Sequence, residues 1–165
     1  MRLLFVCLGN ICRSPTAEAA MRQLLAAEGL AEAVEVDSAG TGDWHVGHPP
    51  DERSAATALG RGIELTGAAR QVTRDDFERF DLIVAMDGSN HAALCQLAPD
   101  DTRARVRLLR EFDPEAGAGG GDLDVPDPYY GGPDGFEDVL DLVTRACQGL
   151  LDAEVRPRLA AEPSA

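Results

Sequence analysis

Short apolar runs alternate with amphipathic segments along most of the chain. The segment DLIVAMD, residues 81–87, is apolar throughout between its two aspartates, which is typical of a parallel strand covered on both faces. Runs that indicate strands are found at Leu3–Cys7, Val34–Asp37, Leu82–Met86 and Arg105–Leu109. Because strands alternate with helical segments, we expect an α/β fold with a parallel four-stranded sheet and right-handed crossovers.

The segments between the runs carry the apolar spacing of helices. In the first and the last of them, apolar residues recur at intervals of three and four. The first set is Ala17, Ala20, Met21, Leu24 and Leu25, and the last set is Phe136, Val139, Leu140, Val143, Cys147, Leu150 and Leu151. Further helical segments are PDERSAATAL, TRDDFERF and SNHAALCQL. The predicted order is β-α-β-α-α-β-α-β-α, with helices on both faces of the sheet.

The chain has 165 residues, 44% of them hydrophobic, which suits one domain with a single core. No internal repeat divides it, and we expect a domain at residues 1–155 followed by a short C-terminal tail at 156–165. No apolar run reaches the length of a membrane span. Residues 3–7 are typical of a first strand rather than of an export signal, so we expect a cytoplasmic protein that binds no membrane.

The formal net charge is −14, and every basic side chain apart from histidine is an arginine. A surface this acidic repels the phosphates of nucleic acid, so nucleic-acid binding is not expected. An anionic substrate would need a site with its own positive field. In a reducing compartment the four cysteines are expected to be free thiols. Of these, Cys95 and Cys147 lie on apolar helix faces and are expected in the core.

The segment CLGNICRSP leaves the carboxyl end of the first strand, where open α/β sheets bind ligands. Ser14 is expected at the N-cap of the following helix and Pro15 at its first position. The free N–H groups of such a helix start bind phosphate-like dianions. Gly9 lets the loop curl, and Arg13 can hold two phosphate oxygens at once.

The same positive field would favour a thiolate at Cys7. A nucleophile at the base of a phosphate cradle indicates a phosphatase. Two other interpretations of the loop stay open. One is a buried cysteine beside an unrelated arginine. The other is a zinc site at Cys7 and Cys12, which is disfavoured because the remaining cysteines and histidines form no second ligand pair.

Four separated motifs resemble those of one enzyme family. CLGNICRSP resembles the signature loop of the low-molecular-weight protein tyrosine phosphatases, bacterial type. Residues 37–53 resemble the family's second strand and specificity loop, residues 69–90 its central segment, and residues 127–139 its acid loop and last helix. The likeness runs from about residue 2 to residue 152. It implies a flavodoxin-like fold with strand order 2-1-3-4, and hydrolysis of phosphotyrosine in proteins.

The resemblance also implies catalytic roles. Cys7 would attack phosphorus in line and form a cysteinyl-phosphate intermediate. Asp127 would protonate the departing phenolate and then, as the carboxylate, activate water; Pro128 would keep its backbone extended. Arg13 and the loop amides would bind the phosphoryl oxygens and stabilise their charge. The phosphate-binding loop residues are Leu8, Gly9, Asn10, Ile11, Cys12 and Ser14.

Further roles implied by the resemblance concern the surroundings of Cys7. Ser14 would donate to its sulfur, and Cys12 would form a reversible disulfide with it under oxidation. Asn10 would hold the strained turn of the loop in a left-handed conformation, with Ser38 as its partner. The family often has a histidine that supports this asparagine, at the position where this chain has Gly67.

The pocket walls implied by the resemblance are mostly aromatic, which suits a flat phenyl ring. They are Ile11, Trp44, Tyr129 and Tyr130. An aliphatic residue at Ile11 resembles the tyrosine-specific members of the family. The glycine-rich segment at 115–122, inside a long loop at 110–134, suggests a mobile lid.

Three other functions share parts of this pattern. A protein arginine phosphatase would keep the mechanism and change the substrate. A thioredoxin-coupled arsenate reductase needs two more cysteines on one mobile segment, where only Cys95 is found. A phosphate-binding module without catalysis would need neither Cys7 nor Asp127. The implied chemistry requires no metal and no cofactor. The expected partners are phosphotyrosine-containing proteins and inorganic phosphate, as product or inhibitor, and the expected state is a monomer.

Overall fold

Four parallel strands lie at the centre of the structure, a computed structural model that describes residues 1–99, 102, 105–116, 121–132 and 134–161. The strands are β1 (Arg2–Cys7), β2 (Glu35–Gly40), β3 (Leu82–Ala85) and β4 (Arg105–Leu108). Their order in the sheet is β2-β1-β3-β4, and all neighbouring pairs are parallel. The predicted α/β fold with strand order 2-1-3-4 is therefore confirmed.

Six α-helices surround the sheet in the described residues: α1 (Arg13–Ala27), α2 (Glu52–Leu59), α3 (Asp76–Arg79), α4 (Gly88–Leu97), α5 (Asp134–Leu150) and α6 (Arg156–Ala161). A 3-10 turn at Leu109–Phe112 follows β4, and a π-helical turn at Leu151–Val155 joins α5 to α6. Of the predicted C-terminal tail, residues 156–161 thus form α6, and residues 162–165 lie outside the described part. None of the helices in the described residues is long and apolar enough to cross a bilayer.

The position of β1 inside the sheet explains why its sequence is apolar without interruption from Leu3 to Cys7. Leu3, Phe5 and Cys7 belong to a core cluster on one face of the sheet, whereas Leu4 and Val6 belong to a second cluster on the other face. Residues of α1 and α5 complete the first cluster, among them Met21, Leu25, Val143 and Cys147. Phe77, Phe80 and Leu94 complete the second. Helices therefore cover both faces, as the sequence predicts.

The prediction for Ser14 as the helix N-cap is wrong, because α1 begins at Arg13 and Cys12 occupies the cap. Both the N–H and the hydroxyl of Thr16 donate to the Cys12 carbonyl, so the first turn closes on Cys12. The Ser14 side chain is fully buried and lies against Cys7 and Asn10 instead.

The prediction for Cys95 as a core residue is also wrong, because its thiol is exposed. Helix α4 buries Asn90 and Leu94, which are four residues apart, and the next position along the helix points away from that face. The prediction for Cys147 is confirmed, since it is completely buried between α5 and α1.

Three loops meet at the carboxyl end of the sheet. The loop after β1 packs against the end of β2, where a Cβ atom at Gly40 would lie 2.7 Å from the Leu8 carbonyl oxygen. The segment before Asp127 is attached to the end of β3, because the N–H of Val125 donates to the Met86 carbonyl. This arrangement brings residues 7–14, 41–48 and 125–130 together around one cleft.

Candidate active site

Cys7 lies at the base of the cleft, and its side chain is almost completely buried. The N–H of Asn10 donates to its Sγ at 3.3 Å. Ser14 Oγ lies 3.0 Å from the same sulfur. Within the described part of the chain, the hydroxyl proton of Ser14 has one other acceptor in reach, the Ala39 carbonyl at 3.4 Å. The sulfur is therefore placed to accept two hydrogen bonds.

The Asn10 side chain holds the phosphate-binding loop from behind. Its backbone has φ of 56°, so the predicted left-handed conformation is confirmed. Its Nδ2 donates to Ser14 Oγ at 2.9 Å and to Ser38 Oγ at 3.0 Å. Its Oδ1 accepts from the N–H of Arg70 at 3.0 Å. The expected contact with Ser38 is therefore present, and three parts of the chain fix this amide.

The same network continues to a residue that the sequence did not single out. Ser38 Oγ donates to Glu18 Oε2 at 2.6 Å, and Glu18 also pairs with Arg22. Burial raises the pKa of Glu18 above its ordinary value, although the hydrogen bond from Ser38 and the charge of Arg22 oppose this. Glu18 follows Ser14 by one helical turn, but a glutamate on a helix carries no sequence signal for such a role.

Gly67 occupies the position where the family often has a histidine. Its φ is +86°, and a Cβ atom there would meet nothing within 4 Å, so a side chain would project into open space. The Asn10 amide already has partners at Ser14, Ser38 and the backbone of Arg70. The loop is thus supported without a histidine.

Arg13 is 3% exposed and reaches three oxygen atoms. Its Nη1 donates to Asp87 Oδ2 at 2.6 Å and to the Val125 carbonyl at 3.1 Å. Its Nη2 donates to Asp127 Oδ2 at 3.3 Å. Because Asp87 and Val125 fix one nitrogen, the guanidinium plane has a set orientation at the cleft.

Asp87 has two functions that the sequence analysis missed. Its Oδ2 orients Arg13, and its Oδ1 caps α4 by accepting from the N–H of Asn90 at 2.7 Å. The signal for its cap role was present, since an aspartate that precedes a helix often caps it. Its position just after β3 also places it at the ligand-binding edge of the sheet.

Asp127 reaches the same cleft from the loop before α5, 114 positions after Arg13. Its Oδ1 accepts from the N–H of Tyr129 at 3.1 Å, and its side chain is 41% exposed. Its carboxylate is therefore held by the backbone of its own loop and by Arg13.

A cleft of about 400 Å³ opens above Cys7. Leu8, Gly9, Ile11, Cys12, Arg13 and Asp127 line it together with the side chains of Trp44, His45, Tyr129 and Tyr130. The four residues expected as pocket walls are all present there, and Asn10, Ser14 and Ser38 lie behind the loop. Trp44 and Tyr130 are 70% and 91% exposed, so they form the rim.

His45 also lines the cleft, although the sequence analysis did not identify it as a site residue. The centroids of the His45 and Tyr129 rings are 6.0 Å apart. A Cβ atom at Gly9 would lie 2.9 Å from Cδ2 of His45. Among the described residues, no group of three or more His, Cys, Asp or Glu side chains could hold a metal ion.

Cys12 is a free, buried thiol beside Cys7 on the same loop. Burial raises the pKa of Cys12 to about 12, with smaller contributions from nearby negative charges, Asp51 first among them. It is therefore a neutral thiol at physiological pH, and its redox role stays a prediction. Residues 117–120, in the middle of the predicted lid, lie outside the described residues.

The comparisons with known proteins agree over nearly the whole chain. The model of the low molecular weight phosphotyrosine protein phosphatase family matches residues 2–161. A low molecular weight protein-tyrosine-phosphatase of Streptomyces coelicolor is 53% identical over 153 residues, 92% of each chain. The enzyme YfkJ of Bacillus subtilis, with the same description, is 44% identical over 90% of this chain and 92% of its own.

A solved structure gives the same result. The crystal structure of a protein tyrosine phosphatase from Entamoeba histolytica superposes with a TM-score of 0.88 and 38% identity, over 96% of this chain and 99% of the other. Similar sequence and similar fold extend together through the phosphate-binding loop, the central segment and the acid loop. The chain belongs to the low molecular weight phosphotyrosine protein phosphatase family.

Proposed function

We propose that this protein hydrolyses phosphotyrosine in proteins through a cysteinyl-phosphate intermediate on Cys7. The observation that carries the proposal is the meeting of Cys7, Arg13 and Asp127 in one cleft with aromatic walls. The thiol lies at its base, the guanidinium beside it and the carboxyl group nearer the solvent. Family membership supports the same reaction.

In the first step, the phosphoryl oxygens bind the loop amides and Arg13. The Cys7 thiolate attacks phosphorus, the S–P bond forms, and the bond from phosphorus to the tyrosine oxygen breaks. Asp127 gives its proton to that oxygen, so tyrosine leaves neutral. Asp87 supports this step indirectly, because it holds Arg13 in its orientation.

In the second step, the Asp127 carboxylate takes a proton from water as the water attacks phosphorus. The S–P bond breaks, and its electron pair returns to the Cys7 sulfur as a thiolate. Ser14 Oγ, 3.0 Å from the sulfur, would stabilise this leaving group by donating to it. The products are tyrosine and inorganic phosphate, and Cys7 and Asp127 return to their starting protonation states.

The preference for tyrosine follows from the walls of the cleft. The rings of Tyr129 and Trp44 and the apolar side chain of Ile11 line it, which suits a planar phenyl ring. Phosphoarginine carries a polar guanidine where phosphotyrosine carries the ring. We therefore expect phosphotyrosine to be the better substrate.

The test is phosphate release from a phosphotyrosine peptide and from free phosphoarginine at mildly acidic pH. The wild type should turn over the peptide, Cys7→Ser should be inactive, and Asp127→Ala should be slower by about 100-fold or more. Turnover of phosphoarginine alone would keep the mechanism and overturn the substrate. Phosphate binding without turnover of either compound would favour the binding module.

The proposal includes a monomer in the cytoplasm with phosphoproteins as partners. The mechanism needs Cys7 as a reduced thiolate, and a reducing compartment maintains it. Inorganic phosphate, as product, should compete with the substrate for the loop. Size-exclusion chromatography tests the monomer, and cell fractionation tests the location.

A further inference from the structure

Arg53 connects two of the three loops around the cleft, the phosphate-binding loop and the acid loop. It lies in the first turn of α2, and its side chain is 49% exposed. Its Nη2 donates to the Tyr129 carbonyl at 3.1 Å, a contact between residues 76 positions apart. Its guanidinium also lies over the rings of Tyr129 and Phe136, at 5.4 Å and 4.7 Å from their centroids. It therefore holds both the backbone and the ring of Tyr129.

The same guanidinium is also anchored to the phosphate-binding loop, through Asp51. Its Nε and Nη2 donate to the two carboxylate oxygens of Asp51 at 3.2 Å and 3.1 Å. The N–H of Asp51 donates in turn to the Ile11 carbonyl at 2.8 Å. A planar guanidinium that binds both oxygens of a carboxylate has little rotational freedom, so the orientation of the Arg53 guanidinium is fixed.

Tyr129 connects Arg53 to Asp127 through its own backbone. The N–H of Tyr129 donates to Asp127 Oδ1 at 3.1 Å, while its carbonyl accepts from Arg53. The two sides of one residue thus join the carboxyl group to the guanidinium. If Tyr129 shifts, Asp127 shifts with it, and a proton donor that is misplaced by about 1 Å can lose as much as 100-fold in rate.

We propose that Arg53 is a positioning residue for proton transfer by Asp127. It ties the acid loop to the phosphate-binding loop and thereby sets the place of the Asp127 carboxyl group above Cys7. This inference rests on the proposed function, in which Asp127 protonates the leaving group. Arg53 is not among the described residues that line the cleft, so its effect should depend on how much the leaving group needs a proton.

The test compares Arg53→Met with the wild type on two aryl phosphates. Phenyl phosphate releases a basic phenolate that needs the proton, whereas 2,4-dinitrophenyl phosphate releases an anion that does not. The variant should lose about tenfold in kcat/KM for phenyl phosphate and at most about twofold for the dinitrophenyl compound. Arg53→Lys keeps the positive charge but loses the planar guanidinium, so its kcat/KM for phenyl phosphate should lie between those of the wild type and Arg53→Met.

A matched control is available just beyond the other end of α2. Arg61 is similarly exposed at 40%, and it pairs with Glu137 and Asp141 of α5 rather than with the acid loop. Arg61→Met should leave the ratio of the two kcat/KM values unchanged. Arg53→Met should stay folded, because Asp51 also accepts from the backbone N–H groups of residues 53 and 54 and so still caps α2. Thermal unfolding checks this.

Asp127→Asn separates the inference from the function on which it rests. If Asp127 is the acid, this variant alone should discriminate strongly between the two substrates. Adding Arg53→Met to it should then cost little more, because both changes act on the same proton transfer. An equal loss on both substrates, or a full further loss in the double variant, would overturn the role of Arg53. No discrimination by Asp127→Asn would instead overturn the assigned acid.

Discussion

The Asn10 side chain connects the phosphate-binding loop to two other segments of the chain behind Cys7. One amide bonds to Ser14, Ser38 and the backbone of Arg70, from three separate segments. The left-handed backbone was predictable, since asparagine tolerates it and the loop must curl. The contribution of Arg70 was not, because a backbone N–H contact 60 positions away leaves no trace in the local sequence.

Two substitutions at Asn10 separate its backbone from its amide. Asn10→Gly accepts positive φ but loses the amide, whereas Asn10→Ala loses the amide and adds strain of about 1–2 kcal/mol. Both should lower kcat/KM for an aryl phosphate about tenfold or more, because Ser14 and Cys7 lose their support. Only the alanine variant should lose that extra stability in urea unfolding. Full activity of Asn10→Gly would show that the amide network is dispensable.

At the scale of elements, the alternation of strands and helices was readable because buried parallel strands need continuous apolar runs. The errors lie at element ends and on helix faces. The structure extends β2 to Gly40, three residues beyond the prediction, where Ser38, Ala39 and Gly40 pair with the end of β1. These small residues carry no strand signal of their own. The pairing with β1 decides their conformation.

Asp113 anchors α5 to the turn after β4. It is buried, and it accepts from Arg145 Nε and Nη2 at 2.6 Å and 2.9 Å. These hydrogen bonds are the main cause that holds the pKa of Asp113 below its ordinary value. A lowered pKa in the folded state stabilises the fold above the unfolded value of about 3.9, and this stabilisation is lost as the pH falls through the lower folded value.

Asp113→Asn should therefore destabilise the protein by about 1–3 kcal/mol at pH 7, because it removes the negative charge from a partly buried ion pair. The difference from the wild type should stay constant from pH 5 to pH 8 and shrink below about pH 4. Urea unfolding at several pH values measures both effects. A difference that is the same at pH 3 and pH 7 would contradict the ionic origin.

At the scale of the whole molecule, a chain with a net charge of −14 builds a site for a dianion. It does so locally, with loop amides and a buried Arg13 at the carboxyl end of the sheet. The sequence predicted this loop because its residues are consecutive. It also predicted Asp127, but only through the resemblance, since an aspartate before proline is common in turns.

The residues that the sequence missed are those that act across the fold. Asp87 meets Arg13 from 74 positions away, and Arg53 meets Tyr129 from 76 positions away. His45 reaches the cleft because the loop after β2 folds over Gly9. The sequence around each of these residues contains no motif that marks it as a site residue. Each comes close to the site because the loops pack together at the carboxyl edge of the sheet.

The central claim is that Cys7 carries the phosphoryl group between the two steps. We would mix the protein with a phosphotyrosine peptide, quench with acid within the first turnover, and determine the modified residue by mass spectrometry. The account predicts one phosphoryl group on Cys7 of the wild type and none in Cys7→Ser. In Asp127→Ala, the phosphorylated fraction of Cys7 should be larger than in the wild type if the loss of Asp127 slows water attack more than phosphoryl transfer. Phosphate release without any phosphorylated Cys7, or turnover by Cys7→Ser, would contradict it.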